Sequence, residues 1–211
     1  MQNKLRRLEK PKINLINNGG PFKRKKKKKK QLFTLVATLL LVVHADAIVE
    51  LRAGYGLLTP SEDPTGGTLA SFNGFNVDAI VEIPLVPFGF GLRYEDLGST
   101  FEVPGSEFDA SFQRTSLLVN YRFIDLFLYA GVIGTIGFVN DASVEFPAGL
   151  GGTTEFDTSL TYSVGAEAGV SLGLIMLGAE LGYLMADLEG PAGSEADLSG
   201  IYAKALVGVG F

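Results

Sequence analysis

The sequence has no cysteine and no tryptophan, and its one histidine is His44. Without cysteine there are no disulfide staples and no thiolate metal sites. His44 falls in a segment read below as a signal peptide. The rest of the chain therefore has no imidazole, and Ser–His and Cys–His nucleophile systems are excluded from it. A membrane-spanning helix is missing too. The apolar run at 31–43 holds about a dozen residues, short of the roughly 20 that a spanning helix needs. Basic residues are scarce beyond residue 47. Residues 1–47 contain 13 of the 18 Lys and Arg but only 2 of the 23 acids, which leaves 48–211 with 5 bases, 21 acids and a net charge of −16. So acidic a body argues against nucleic-acid binding, which needs a basic surface to displace counterions.

The N-terminal bases are concentrated in "KRKKKKKK" (23–30), followed by "QLFTLVATLLLVV" (31–43) and "HADA" (44–47). A basic stretch, a short apolar core and Ala45-Asp46-Ala47 make a secretory signal peptide, with cleavage expected after Ala47. The basic region is long for such a signal, so either the start lies later than Met1 or the extra residues are a disordered tail. Two domains follow: 1–47, the basic region and cleavable signal peptide, and 48–211, the mature body.

In the mature body the dominant signal has a period of two. In "SLTYSVGAEAGVSL" (159–172), Leu160, Tyr162, Val164, Ala166, Ala168, Val170 and Leu172 alternate with Ser, Thr, Gly and Glu. The same alternation predicts eight strands, at 48–58, 72–83, 88–97, 110–123, 126–139, 157–172, 175–186 and 197–211. Strand five, "LFLYAGVIGTIGF", is apolar or small on both faces and has no assignable phase. The connections alternate between short ("PLVP" 84–87, "ID" 124–125, "GL" 173–174) and long (59–71, 98–109, 140–156, 187–196). In an up-and-down meander this puts all short turns at one end and all long loops at the other, the layout of outer-membrane barrels.

A soluble lipocalin-like barrel has the same period turned inside out. Three features favour apolar side chains facing lipid. The polar phase is rich in glycine, which suits a crowded barrel interior. Apolar-phase aromatics gather near both ends: Phe88, Tyr121, Phe123, Phe127 and Phe211 at the short turns, and Tyr55, Phe75, Tyr94, Tyr162 and Tyr183 toward the long loops. Two such girdles match the two membrane interfaces. The export signal, finally, takes the chain out of the cytoplasm.

The eight strands, the loop asymmetry and the ending "IYAKALVGVGF" resemble the small outer-membrane β-barrel family, the OmpA/OmpX-like group. The resemblance implies a bacterial, Gram-negative outer-membrane location and an all-β, eight-stranded antiparallel transmembrane barrel. It also implies an assembly signal at Ala205, Val207, Val209 and Phe211, read by the barrel-assembly machinery. Tyr202 lies in the opposite phase from the aromatic often found upstream of that signal.

The polar phase would fill the lumen with Glu50, Asp78, Glu82, Glu95, Glu167 and Glu180 against Arg52, Arg93, Arg122 and Lys204. Opposite charges enclosed together should pair, because an isolated buried charge is very costly. Strand levels suggest Lys204 with Glu180 or Glu167, and Arg52 with Glu82. Core packing is the simpler role for these charges; an ion path gated by breaking the pairs is the functional one. A paired-carboxylate site on Glu167 and Glu180 is conceivable, but the proximity of Lys204 makes an ion pair the plainer account. Arg114 lies just inside strand four. The long loops carry 14 acids, from Glu62 to Asp197, and no base. Such a rim is either a solvated acidic surface or one that calcium or magnesium bridges to itself or to lipopolysaccharide; no loop has EF-hand spacing. The expected protein is a non-enzymatic monomer with no cofactor or metal and a filled lumen, in contact with outer-membrane lipid and lipopolysaccharide. Its role would be structural or surface-interactive. The alternatives are a narrow, weakly cation-preferring channel, a lipid-modifying enzyme and the soluble carrier.

Overall fold

The structure, a computed structural model, describes residues 48–61, 71–83, 86–103, 106–145, 152–158, 160–189 and 195–211. The expected signal peptide and its cleavage point, and the loop acids Glu62 and Asp63, lie outside these residues.

Eleven strand segments occur among the described residues: β1 (Ile48–Pro60), β2 (Phe72–Glu82), β3 (Phe88–Val103), β4 (Ser106–Asp125), β5 (Leu128–Glu145), β6 (Thr153–Thr158), β7 (Thr161–Leu172), β8 (Ile175–Met185), β9 (Asp187–Glu189), β10 (Glu195–Asp197) and β11 (Gly200–Gly210). Three of them continue a neighbour across a break of one or two residues: β6 runs into β7, β8 into β9 and β10 into β11. Eight continuous strands remain. Each pairs antiparallel with the next, and pairing of β1 with β11 and of β5 with β7 closes the ring. Closure leaves the wall no free edge, which a sheet in lipid requires because no water is there to pair backbone groups. At the β7–β8 turn Gly173 takes a positive φ of 69°, a conformation that glycine adopts without penalty.

The orientation of the alternation is unambiguous. Val164, Leu181 and Val207 on the outside are 57%, 61% and 52% exposed, whereas Glu180 and Lys204 are 1% and 7% exposed in the lumen. The lipocalin-like alternative needs the reverse and does not hold. The expected aromatics at both ends point outward: Phe88, Tyr121, Phe123, Phe127 and Phe211 below, and Tyr55, Phe75, Tyr162 and Tyr183 above, are exposed, and Tyr94 is half-buried.

Strand pairing continues into three of the expected long loops. β3 and β4 stay paired out to Val103 and Ser106, β5 and β6 pair over 142–145, and β9 pairs with β10. These strands outrun the alternation that predicts them because their polarity inverts partway along. In β3, Phe88, Phe90 and Tyr94 face out and Arg93 and Glu95 face in; one step further Asp96 and Thr100 face out while Leu97 is buried. The upper part obeys the rule of a soluble protein. Its interior is an apolar core that includes Leu58, Phe72, Leu97, Phe112, Leu184 and Leu188. Its exterior carries Asp109, Gln113, Asp141, Glu155 and Asp187. The molecule is thus a lipid-facing wall capped by a water-facing head.

Strand β5 switches phase by a bulge. Thr115 pairs with Val139 and Ser116 with Gly137, so Phe138 is the extra residue. Below it Tyr129, Ile133 and Thr135 face inward; above it Ala142 does, while Phe138 and Val139 both point out. A bulge of this kind re-aims every residue beyond it.

Candidate functional site: the charged lumen and the acidic head

The register explains how the lumen charges meet. Arg52 lies opposite Asp78, Asp78 opposite Arg93, Glu95 opposite Arg114, and Lys204 opposite Glu180. Neighbouring strands therefore bring unlike charges together at a cross-strand spacing of about 5 Å. The exception is Glu167 opposite Glu180, where each acid is occupied by its own cations.

The result is one alternating chain running up the lumen. At the short-turn end Arg122 holds Glu50 through two bonds of 2.6 and 2.8 Å, and contacts Glu82 at 2.7 Å. Its Nε reaches Glu167 at 3.1 Å, and the other Glu167 oxygen accepts from Arg52 Nη1 at 2.6 Å. Arg52 Nη2 is 3.2 Å from Asp78. Arg93 then grips two carboxylates in bidentate fashion: Asp78 at 2.8 Å twice, and Glu180 at 2.8 and 2.6 Å. Lys204 lies between Glu180, 3.9 Å away, and Glu95, 2.5 Å away. Glu95 also accepts from Arg114 at 2.8 Å, and Arg114 ends the chain on Thr161 and Thr135 at 2.7 and 2.6 Å. Fork-shaped guanidinium–carboxylate pairs are strong and fix geometry.

One of the expected pairs needs correction. Arg52 does not meet Glu82, which lies opposite Ile48, four residues further along the strand and so roughly 13 Å away; Glu82 goes to Arg122 instead. Of the two partners expected for Lys204, Glu180 is there at 3.9 Å and Glu167 is not; Arg93 occupies both oxygens of Glu180, so the ammonium also reaches across the lumen to a nearer carboxylate, Glu95. Arg114, not among the expected lumen charges, shares the phase of Asn120 and Arg122 and is buried with them. Two tyrosines join them. Tyr129 lies beneath the Arg122 guanidinium, 4.6 Å from its ring centroid. Tyr202 donates to Glu180 at 2.7 Å, with Lys204 4.4 Å from its ring. Glycines make room for both rings. A Cβ at Gly169 or Gly178 would strike Tyr129, and one at Gly165 or Gly182 would strike Tyr202.

All five bases of 48–211 stand in this chain. Above it lies the apolar core of the head. A void of about 10 Å³ remains between the two, lined in part by Glu95, Leu97, Arg114, Tyr202 and Lys204, room for one water at most. On the head, Asp96 accepts from Tyr94 and Gln113 at 3.5 and 3.4 Å, and Asp109 accepts from Thr100 at 2.8 Å. Among the described residues no three carboxylates or imidazoles converge as metal ligands would.

No protein-family model matches the chain, and no curated protein matches it by sequence. Solved structures do. Neisserial surface protein A (NspA) superposes with a TM-score of 0.52 at 16% identity, over 79% of this chain and 96% of that one. Ail, the attachment invasion locus protein of Yersinia pestis, solved with the heparin analogue sucrose octasulfate, gives 0.53 at 15% identity, over 79% and 100%. A major outer membrane protein of Thermus thermophilus gives 0.50 at 14% identity, over 79% and 99%. Together with the greasy wall and closed ring, these likenesses establish the fold: the chain is a closed eight-stranded antiparallel β-barrel, similar in architecture to these outer-membrane proteins.

Proposed function

We propose that the protein is an integral outer-membrane barrel with a blocked lumen, acting as a structural or surface-interacting element through its acidic head. The observation that carries this reading is the inversion of polarity between wall and head. It leaves a water-facing body above the bilayer whose exterior carries acids and no base. The alternating ion chain and the apolar core above it support a plug and disfavour the channel reading, since ions would have to break both. A head of this charge attracts cationic partners and repels polyanions. A sulfated ligand such as the one bound in the Ail structure is therefore disfavoured here. Outer-membrane lipid, lipopolysaccharide bridged to the acidic head by calcium or magnesium and, during biogenesis, the barrel-assembly machinery acting on Ala205, Val207, Val209 and Phe211 are the partners this reading assigns. The barrel is expected to act as a monomer without catalysis.

Planar-bilayer recording tests the closed lumen. The folded protein should give no unit conductance steps. Sustained, cation-preferring steps would overturn the plug and restore the channel.

A further inference from the structure

The turns at the short-turn end are unusual in chemistry. Turn tips normally expose Gly, Pro, Asn, Asp or Ser to water. Here Leu126, Phe127 and Leu174 are 75%, 70% and 65% exposed, and Ile83 and Val86 are exposed beside them. None of the described turn residues (Ile83, Val86, Pro87, Leu126, Phe127, Gly173, Leu174) is charged. Asp125, which ends β4 beside the second turn, is the charged side chain exposed at this end; it is 54% exposed and 3.7 Å from Arg122. An exposed apolar patch of this kind marks a surface that meets something other than water.

Two further observations say what covers it. The first is continuity with the wall. The outward row of β2 runs from Phe75 to Ile83. On β8 the outward row Met185, Tyr183, Leu181, Ala179, Leu177 and Ile175 meets the tip residue Leu174 with no polar side chain between them. On these two strands the apolar face of the wall passes into the turn without a polar break. The second is hydrogen bonding. Pro87 O accepts from Arg122 N at 3.0 Å, Phe127 O from Ser171 N at 2.8 Å, and Leu174 O from Gly210 N at 2.9 Å. Val86 N donates to Ile83 O at 3.1 Å and Leu126 N to Leu128 O at 3.0 Å. Peptide groups that must leave water need internal partners, and each of these three turns supplies some.

We infer that the short-turn end of the barrel is immersed in the inner leaflet, with Val86, Leu126, Phe127 and Leu174 among acyl chains and no part of these turns projecting beyond the lipid. The inference rests on the membrane-barrel reading above and extends it from the wall to the tips.

The absence of tryptophan makes a clean test available. The full chain is folded into phosphatidylcholine vesicles, with or without acyl-chain bromines, as Phe127→Trp, Leu174→Trp or the mid-wall control Leu181→Trp. Each is first checked for heat-modifiable gel mobility. Two tip positions guard against one variant failing to fold. All three indoles should lose most of their emission in brominated lipid and resist aqueous iodide. A quenched Leu181→Trp with tip indoles open to iodide would overturn the inference while leaving the membrane barrel standing. Tip indoles shielded from both quenchers would mean that protein, such as a second copy, covers them, and would also overturn it. An unquenched Leu181→Trp would sink the barrel reading itself.

Discussion

At the scale of single residues, the lumen is an accounting problem with one solution. Glu167 serves two guanidinium groups, those of Arg52 and Arg122. Replacing it by Ala breaks two buried ion pairs at once, while Arg52 keeps Asp78 and Arg122 keeps Glu50 and Glu82, so Glu167→Ala should destabilise the folded barrel by about 3–5 kcal/mol, the range for breaking a buried ion pair. Lys204→Met should cost less, about 1.5–3 kcal/mol, because Glu95 keeps Arg114 and Glu180 keeps Arg93. Urea titration in lipid vesicles, followed by gel mobility, reads both; the opposite ranking would contradict the alternating chain. The sequence made the inward phase of Glu50, Arg52, Asp78, Glu82, Arg93, Glu95, Arg122, Glu167, Glu180 and Lys204 legible, because burying unlike charges together is a rule of composition. The partners were not legible. Pairing depends on register across the ring, as Arg52 and Glu82 illustrate, and on competition for oxygen lone pairs, as Lys204 illustrates.

At the scale of elements, each strand carries two environments in series. Alternation revealed the lower halves because lipid makes the outer face uniformly apolar. The upper halves read as loops because Asp96, Thr100, Asp109, Ser111 and Ser143 occupy outward positions where aliphatics stood further down. β5 resists assignment for a different reason: over 126–138 its inward Tyr129, Gly131 and Ile133 are as apolar or small as its outward Leu128, Ala130 and Val132, and the bulge at Phe138 then shifts the period at the boundary between the two environments. Deleting Phe138 should turn Asp141 and Ser143 into the head and Ala142 and Val144 out of it. The expected outcome is a head newly sensitive to a broad-specificity protease such as subtilisin, above a wall that keeps its heat-modifiable mobility. Unchanged protection of the head would show that the bulge does not set the phase.

At the scale of the whole molecule, two solvents shape one chain. The wall is an inside-out protein and the head an ordinary one, with the change of sign at the level of Glu95 and Asp96. Arginine substitutions on the outer face should map that boundary. Leu181→Arg, in mid-wall, should cost about 2–4 kcal/mol, and Met185→Arg, beside Asp187 at the outer limit of the band, about 0–1 kcal/mol. Reversible unfolding in lipid measures both, and equal costs would place the boundary elsewhere.

Enclosing every lysine and arginine of 48–211 has a further result. Trypsin-like proteases cut after those two side chains, and amine-acylating reagents need a free ammonium-derived nucleophile. In the folded barrel the former find no cleavage point in this span and the latter no target side chain. The arrangement that neutralises the interior therefore also conceals the body from one whole class of hydrolases.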